Sequence, residues 1–118
     1  MKLYHSTACE NVFSIIEEGL KIDKSRDGAI FFGEDDFTAA CFQFLNDITE
    51  FSVIEFTLPK KEFEIQLSDD HNADLLKKIY PELKKCYYSM MDIPPEYITA
   101  IMDYQDGQKI YWDKEEWQ

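Results

Sequence analysis

The stretch Leu3–Leu20, LYHSTACENVFSIIEEGL, constrains the fold more than any other part of this chain. A short extended segment carrying His5 runs directly into the start of a helix. Thr7 and Glu10 stand at capping-box spacing, which predicts that hydroxyl and carboxylate satisfy the orphan backbone donors of the first turn. Val12, Phe13, Ile15 and Ile16 recur at helical spacing and predict the buried face. Gly19 predicts a left-handed helix end, with Leu20 folding back onto Ile15 as in a Schellman motif. His5 therefore falls where a strand ends beside a helix start, a common place for a site. Read by itself among Tyr4, Ser6 and Thr7, it is first a structural histidine capping the turn.

At 118 residues, 45% hydrophobic and 15% aromatic, the chain has enough apolar material for one packed core, so a single domain over residues 1–118 is expected. No apolar run approaches the length that spans a bilayer, and no basic segment leads into an apolar one at the start. Neither anchor nor signal peptide is expected, and the expected location is cytoplasmic. Cys9, Cys41 and Cys86 are odd in number and set in apolar contexts, which predicts reduced core thiols rather than a disulfide framework or a zinc site. The net charge of -12, with no basic cluster beyond the lysine pairs at 60–61, 77–78 and 84–85, argues against direct binding of a nucleic-acid backbone. An acidic surface keeps a small protein soluble and also suits a basic protein partner.

Along the chain, a first strand to about His5 and a first helix to Glu18 precede the charged connection KIDKSRD. Ala29–Phe32 reads as a short buried strand, and the acidic turn Glu34-Asp35-Asp36 opens a helix over Phe37 to about Leu45. Phe51–Leu58 alternates as a strand until Pro59, and Phe63–Leu67 is a second alternating run that pairs with it or continues it. A third helix covers Ala73 to about Tyr80. Strands follow at Cys86–Met90 and Tyr97–Met102, and Asp106-Gly107 is a hairpin signal before Ile110-Tyr111-Trp112. Seven strands and three helices in an order that is not regular βαβ predict an α+β fold.

Other chemistry-bearing residues have ordinary readings beside functional ones. Asp69, Asp70, His71 and Asp74 match no known cation-ligand spacing and suit a solvated helix start. Cys86 reads as a buried strand thiol unless the fold brings a histidine to it. Glu55 and Glu96 are the candidate general acids or bases, although an alternating strand and an exposed turn account for them equally.

Taken in order, these segments resemble the ADP-ribosyltransferase fold shared by the poly(ADP-ribose) polymerases, the DNA-modifying ADP-ribosyltransferase toxins and the RNA 2′-phosphotransferases. That family opens on leucine-x-histidine-glycine followed by serine or threonine, then a helix closed by glycine-leucine; here stand Leu3-Tyr4-His5-Ser6-Thr7 and Gly19-Leu20. Ala29-Ile30-Phe31-Phe32-Gly33 is similar to the polymerases' glycine-isoleucine-tyrosine-phenylalanine strand, and Phe42 stands eleven positions after Phe31, where their second stacking tyrosine lies. Ile93-Pro94-Pro95-Glu96-Tyr97-Ile98 resembles the corner before the last core strand of the toxins and phosphotransferases.

The resemblance implies split antiparallel sheets with about three helices and a cleft that holds NAD as substrate. It implies that His5 bonds the ribose beside the nicotinamide, that the Ser6 backbone holds the carboxamide, and that Phe31 and Phe42 stack on the ring. The implied activity is transfer of ADP-ribose to a protein or nucleic-acid acceptor. In such a reaction a glutamate orients the acceptor while charge develops on the ribose carbon. Counting back from Pro94, the toxins' glutamate falls near Cys86, after Lys84 and Lys85, so Glu96, Glu55 or Glu82 takes the role if the strand register differs. Ser6 replaces a glycine, Ala39 a serine, and Phe31 and Phe42 two tyrosines. The alternative is a catalytically inactive protein of this fold, acting as an acidic binder or inhibitor through protein–protein contacts.

Overall fold

The computed structural model describes residues 1–25, 28–59, 63, 65–67 and 71–117. Strand β1 (Lys2–Thr7) pairs along its whole length with β3 (Glu50–Thr57), from Lys2↔Thr57 to Thr7↔Ser52. β3 is buried on both faces, with Phe51, Ser52, Val53 and Ile54 all inaccessible, as befits the middle of a sheet. Its other edge pairs with β6 (Ile98–Gln105), with a bulge between Glu55 and Phe56. β6 turns back through Asp106-Gly107, both at positive φ, into β7 (Gln108–Tyr111), the hairpin that the dipeptide predicts.

A second group of strands forms on the other side of β1. β2 (Ile30–Gly33) pairs with β5 (Cys86–Ser89), and β5 with β4 (Ile65–Leu67). The full order is β4-β5-β2-β1-β3-β6-β7, antiparallel throughout. The expected pair of separate small sheets is thus one seven-stranded sheet. Its two groups meet at a single residue pair, Tyr4↔Gly33. That pair needs its glycine, since a β-carbon at Gly33 would lie 2.5 Å from the Ala39 backbone nitrogen.

Helix α1 (Val12–Glu18) covers one face of the sheet, while α2 (Asp36–Phe44) and α3 (His71–Ile79) belong to the other. Under α1, Val12, Ile15 and Leu20 pack on Leu3, Phe32, Ile54 and Phe56. Under α2, Ala39 and Ala40 meet Phe51, Val53 and Met102. Cys41, Leu76, Leu83 and Cys86 fill the junction of α2 with α3. Asp35 caps α2 by accepting from the Thr38 backbone N–H at 2.8 Å.

Several expectations are corrected. No side-chain cap forms at the first helix: residues Cys9–Asn11 make a 3-10 turn, α1 starts only at Val12, and the Thr7 hydroxyl instead accepts from Asn11 Nδ2 at 3.2 Å. The offset rotates Phe13 outward, 66% exposed, against Trp112. Cys9 is likewise exposed, whereas Cys41 and Cys86 are buried. β4 pairs with β5 rather than β3, because the free edge of β5 takes it. Gly19 has φ 77° and ψ -165°, an extended positive-φ state rather than the left-handed helical one, because Leu20 must go straight into a two-bond bridge with Ile93. Asp69, Asp70 and the Lys60-Lys61 turn lie outside the described residues. Among the described residues, no helix is long and apolar enough to cross a membrane.

Candidate functional site

The site exists because a ladder stops. Tyr4 pairs with Gly33, so continued pairing of β1 with β2 would set His5 against Phe32, Ser6 against Phe31 and Thr7 against Ile30, yet none of these pairs forms. The strands splay instead, and a cavity of about 510 Å³ occupies the gap. His5, Ser6, Thr7, Ile30 and Phe31 all line it. Its volume lies within the roughly 300–1,000 Å³ usual for small-molecule and cofactor pockets.

His5 bridges the gap. Its Nδ1–H donates to the Phe31 carbonyl at 2.8 Å, and its ring meets Phe32 edge-on with centroids 5.9 Å apart. Burial holds the imidazole pKa below its ordinary value, while the Phe31 carbonyl pulls weakly the other way. The ring is therefore neutral at physiological pH, and with Nδ1 carrying the proton, Nε2 is left as an acceptor. That is the correct polarity for receiving a ligand hydroxyl.

The opposite face of β1 presents Ser6, whose hydroxyl oxygen accepts from Gln43 Nε2 at 3.2 Å. Gln43 and Phe42 come from the last turn of α2, held over this end of the sheet by the Ala39 and Ala40 contacts. Phe31 is half-buried, 6.3 Å from the Tyr88 ring across the β2–β5 pair. The α1 wall contributes Ser14, Ile15, Gly19 and Leu20, and the following 3-10 turn, Ile22–Lys24, contributes Lys24 with Lys21 before it and Ser25 after it.

All four residues assigned to the nicotinamide end, His5, Ser6, Phe31 and Phe42, line this one cavity. The candidate carboxylates do not. Glu96 is exposed on the 3-10 turn Pro95–Tyr97, and Glu82 is exposed after α3. Glu55 is committed on the α2 face, where it accepts from Tyr4 Oη at 2.8 Å and Thr99 Oγ1 at 2.7 Å and lies 3.8 Å from Lys2 Nζ. Cys86 is buried at the head of β5, opposite Gly33. Among the described residues, no carboxylate lines the cavity.

Asn11, Gln43, Lys21 and Lys24 are lining residues that sequence reasoning missed. Lys21 and Lys24 carried a usable signal, since the two lysines stand three apart just after a glycine-leucine helix stop. The cavity thus offers aromatic and aliphatic surface, neutral hydrogen-bonding groups and a cationic rim. It suits a ligand with a flat ring, hydroxyls and an anionic group. No protein-family model matches the chain, and no curated protein matches it.

Proposed function

We propose that the cavity binds NAD and that the chain is an ADP-ribosyltransferase-like protein. The observation that carries this reading is convergence: residues from three separate stretches, picked out by resemblance to the family's nicotinamide site, line one cavity where the pairing of β1 with β2 stops. In this reading Nε2 of neutral His5 accepts a ribose hydroxyl, and Phe31 and Phe42 give the nicotinamide ring its apolar surroundings. Transfer of ADP-ribose breaks the bond between the ribose carbon and the nicotinamide nitrogen, and the acceptor's nucleophile forms the new bond while losing a proton. Aromatic walls and an acceptor imidazole hold the leaving group and the ribose, which supports the positioning part of that chemistry. A carboxylate to take that proton is the part that the cavity's described residues lack.

The test is titration of the purified protein with NAD, followed by heat and by the fluorescence of Trp112 and Trp117, with His5→Ala alongside. Saturable binding that weakens at least about tenfold in the variant, with an unchanged circular dichroism spectrum, is the expected result. No binding by the wild type at millimolar NAD refutes the reading. Labelled NAD then separates transfer from binding alone. The carboxylate-free lining favours a second reading, a non-catalytic acidic protein that occupies a basic partner. Its affinity for that partner falls steeply with salt and survives His5→Ala.

A further inference from the structure

The chain carries a net charge of -12, yet the only charged side chains among the cavity's described lining residues are two lysines, Lys21 and Lys24. They flank one 3-10 turn, in which the Lys24 N–H donates to the Lys21 carbonyl at 3.2 Å. Lys21 leads into the turn in an extended conformation and Lys24 closes it, and both line the cavity. The turn is fixed at its start. Asp92 Oδ1 accepts from the Ile22 N–H at 2.8 Å, and Gly19 delivers Leu20 into its bridge with Ile93 just ahead of Lys21.

Both lysines have an acidic partner outside the cavity lining, Glu18 for Lys24 and Asp92 for Lys21. Lys24 Nζ donates to Glu18 Oε2 at 2.6 Å and to Ser14 Oγ at 3.1 Å, and Lys21 Nζ lies 3.7 Å from Asp92. Both pairs are water-accessible, with the lysine side chains 38% and 59% exposed for Lys21 and Lys24. Such pairs are individually weak and exchange partners at little cost.

We propose that Lys21 and Lys24 form a diphosphate subsite at the α1 end of the cavity, and that Glu18 competes with the ligand for Lys24. The proposal rests on the NAD reading for the identity of the ring end. Its own ligand class is broader, any phosphate or diphosphate ester. Glu18 and Ser14 hold Lys24 against α1. A bound diphosphate takes over the ammonium, with the Ser14 and Ser25 hydroxyls beside it, and leaves Glu18 to water.

The experiment titrates three probes, ADP-ribose, inorganic pyrophosphate and nicotinamide riboside, into wild type, Lys21→Gln/Lys24→Gln, Lys21→Arg/Lys24→Arg and Glu18→Gln. Loss of two rim charges is expected to weaken ADP-ribose and pyrophosphate by about tenfold or more, and the double arginine variant to restore most of that. Nicotinamide riboside, which has the ring and ribose but no phosphate, stays within about twofold or tightens slightly. Glu18→Gln tightens ADP-ribose, because it removes the competitor; a merely structural latch would give the opposite sign. Unchanged ADP-ribose affinity in the double glutamine variant overturns the proposal, as does equal weakening of nicotinamide riboside or weaker ADP-ribose binding in Glu18→Gln. No binding of either phosphate probe by wild type also overturns it. If phosphate probes bind in a lysine-dependent way while His5→Ala leaves NAD affinity unchanged, the subsite stands and the nicotinamide reading falls.

Discussion

Gly19→Ala gives the most direct test of how the α1 wall is held. At φ 77° and ψ -165°, a region essentially reserved for glycine, an alanine costs about 1–3 kcal/mol from backbone sterics alone. The added β-carbon would also sit 2.1 Å from the Ile93 carbonyl oxygen, 2.9 Å from Pro95 N and 3.0 Å from Pro94 C, all backbone atoms that cannot swing aside. Relief requires the Leu20–Ile93 bridge to open. Its two hydrogen bonds, 2.8 and 2.9 Å, join residues 5% and 0% exposed and are worth roughly 0.5–1.5 kcal/mol each. The total comes to about 2–6 kcal/mol, a large share of the roughly 5–15 kcal/mol that stabilises a typical domain. Gly107→Ala is the control, since Gly107 has φ 83° but nothing within 4 Å of the new carbon. It carries the φ penalty and the same gain from a stiffer unfolded chain, so the difference between the two variants isolates the clash. Urea unfolding followed by tryptophan fluorescence is expected to separate them by about 1–3 kcal/mol at matched slope. A difference under about 0.5 kcal/mol refutes the reasoning.

Three further outcomes follow from the described contacts. His5 has a folded-state pKa below its unfolded one, so below about pH 6.5 the unfolded chain binds more protons and stability falls with pH. Unfolding midpoints at pH 7.5 and 5.5 therefore drop more for wild type than for His5→Gln, and parallel curves would contradict the neutral ring. Native protein treated with a thiol reagent is expected to label at Cys9 alone, with all three cysteines reacting in denaturant; Cys41 is buried and its thiol pushed up to about 12, mainly by that burial. Asp103 accepts from the buried Ser52 hydroxyl and, at 2.8 Å, from Trp112 Nε1. Asp103→Ala is expected to cost about 2–4 kcal/mol by urea unfolding and to shift the Trp112 emission, and a loss under 0.5 kcal/mol would show the pair to be dispensable.

Local signals in the sequence were strong where the physics is local. The Asp106-Gly107 hairpin, the acidic start of α2 and the alternation of β3 each depend on neighbours along the chain, and each is present. The capping box failed although its residues have the right spacing, because a 3-10 turn at Cys9–Asn11 delays the helix and turns Phe13 to solvent. The partner of β4 depended on which distant strand kept a free edge, which alternation alone does not encode. At the site, His5, Phe31 and Phe42 were legible through motif order. Gln43 was not, since it reaches the cavity only through the packing of α2 on the sheet, and the spacing of the two lysines gives no place in the fold until the turn at Gly19 brings them to the cavity.

The single Tyr4↔Gly33 pair also makes the sheet two panels on a seam. One panel is β4-β5-β2, the other β1-β3-β6-β7, and past that pair the links across the seam are made by side chains, the bond from His5 to Phe31 and the packing of Phe32 on His5 and Phe56. Of the two, the three-stranded panel has the shorter ladders and frays at lower free energy, so its amide protons exchange ahead of those in β3 and β6. An occupant of the gap touches both panels at once. It then acts as a rivet, and its arrival is readable as slowed exchange on β1 and β2 together, two strands joined by one ladder pair.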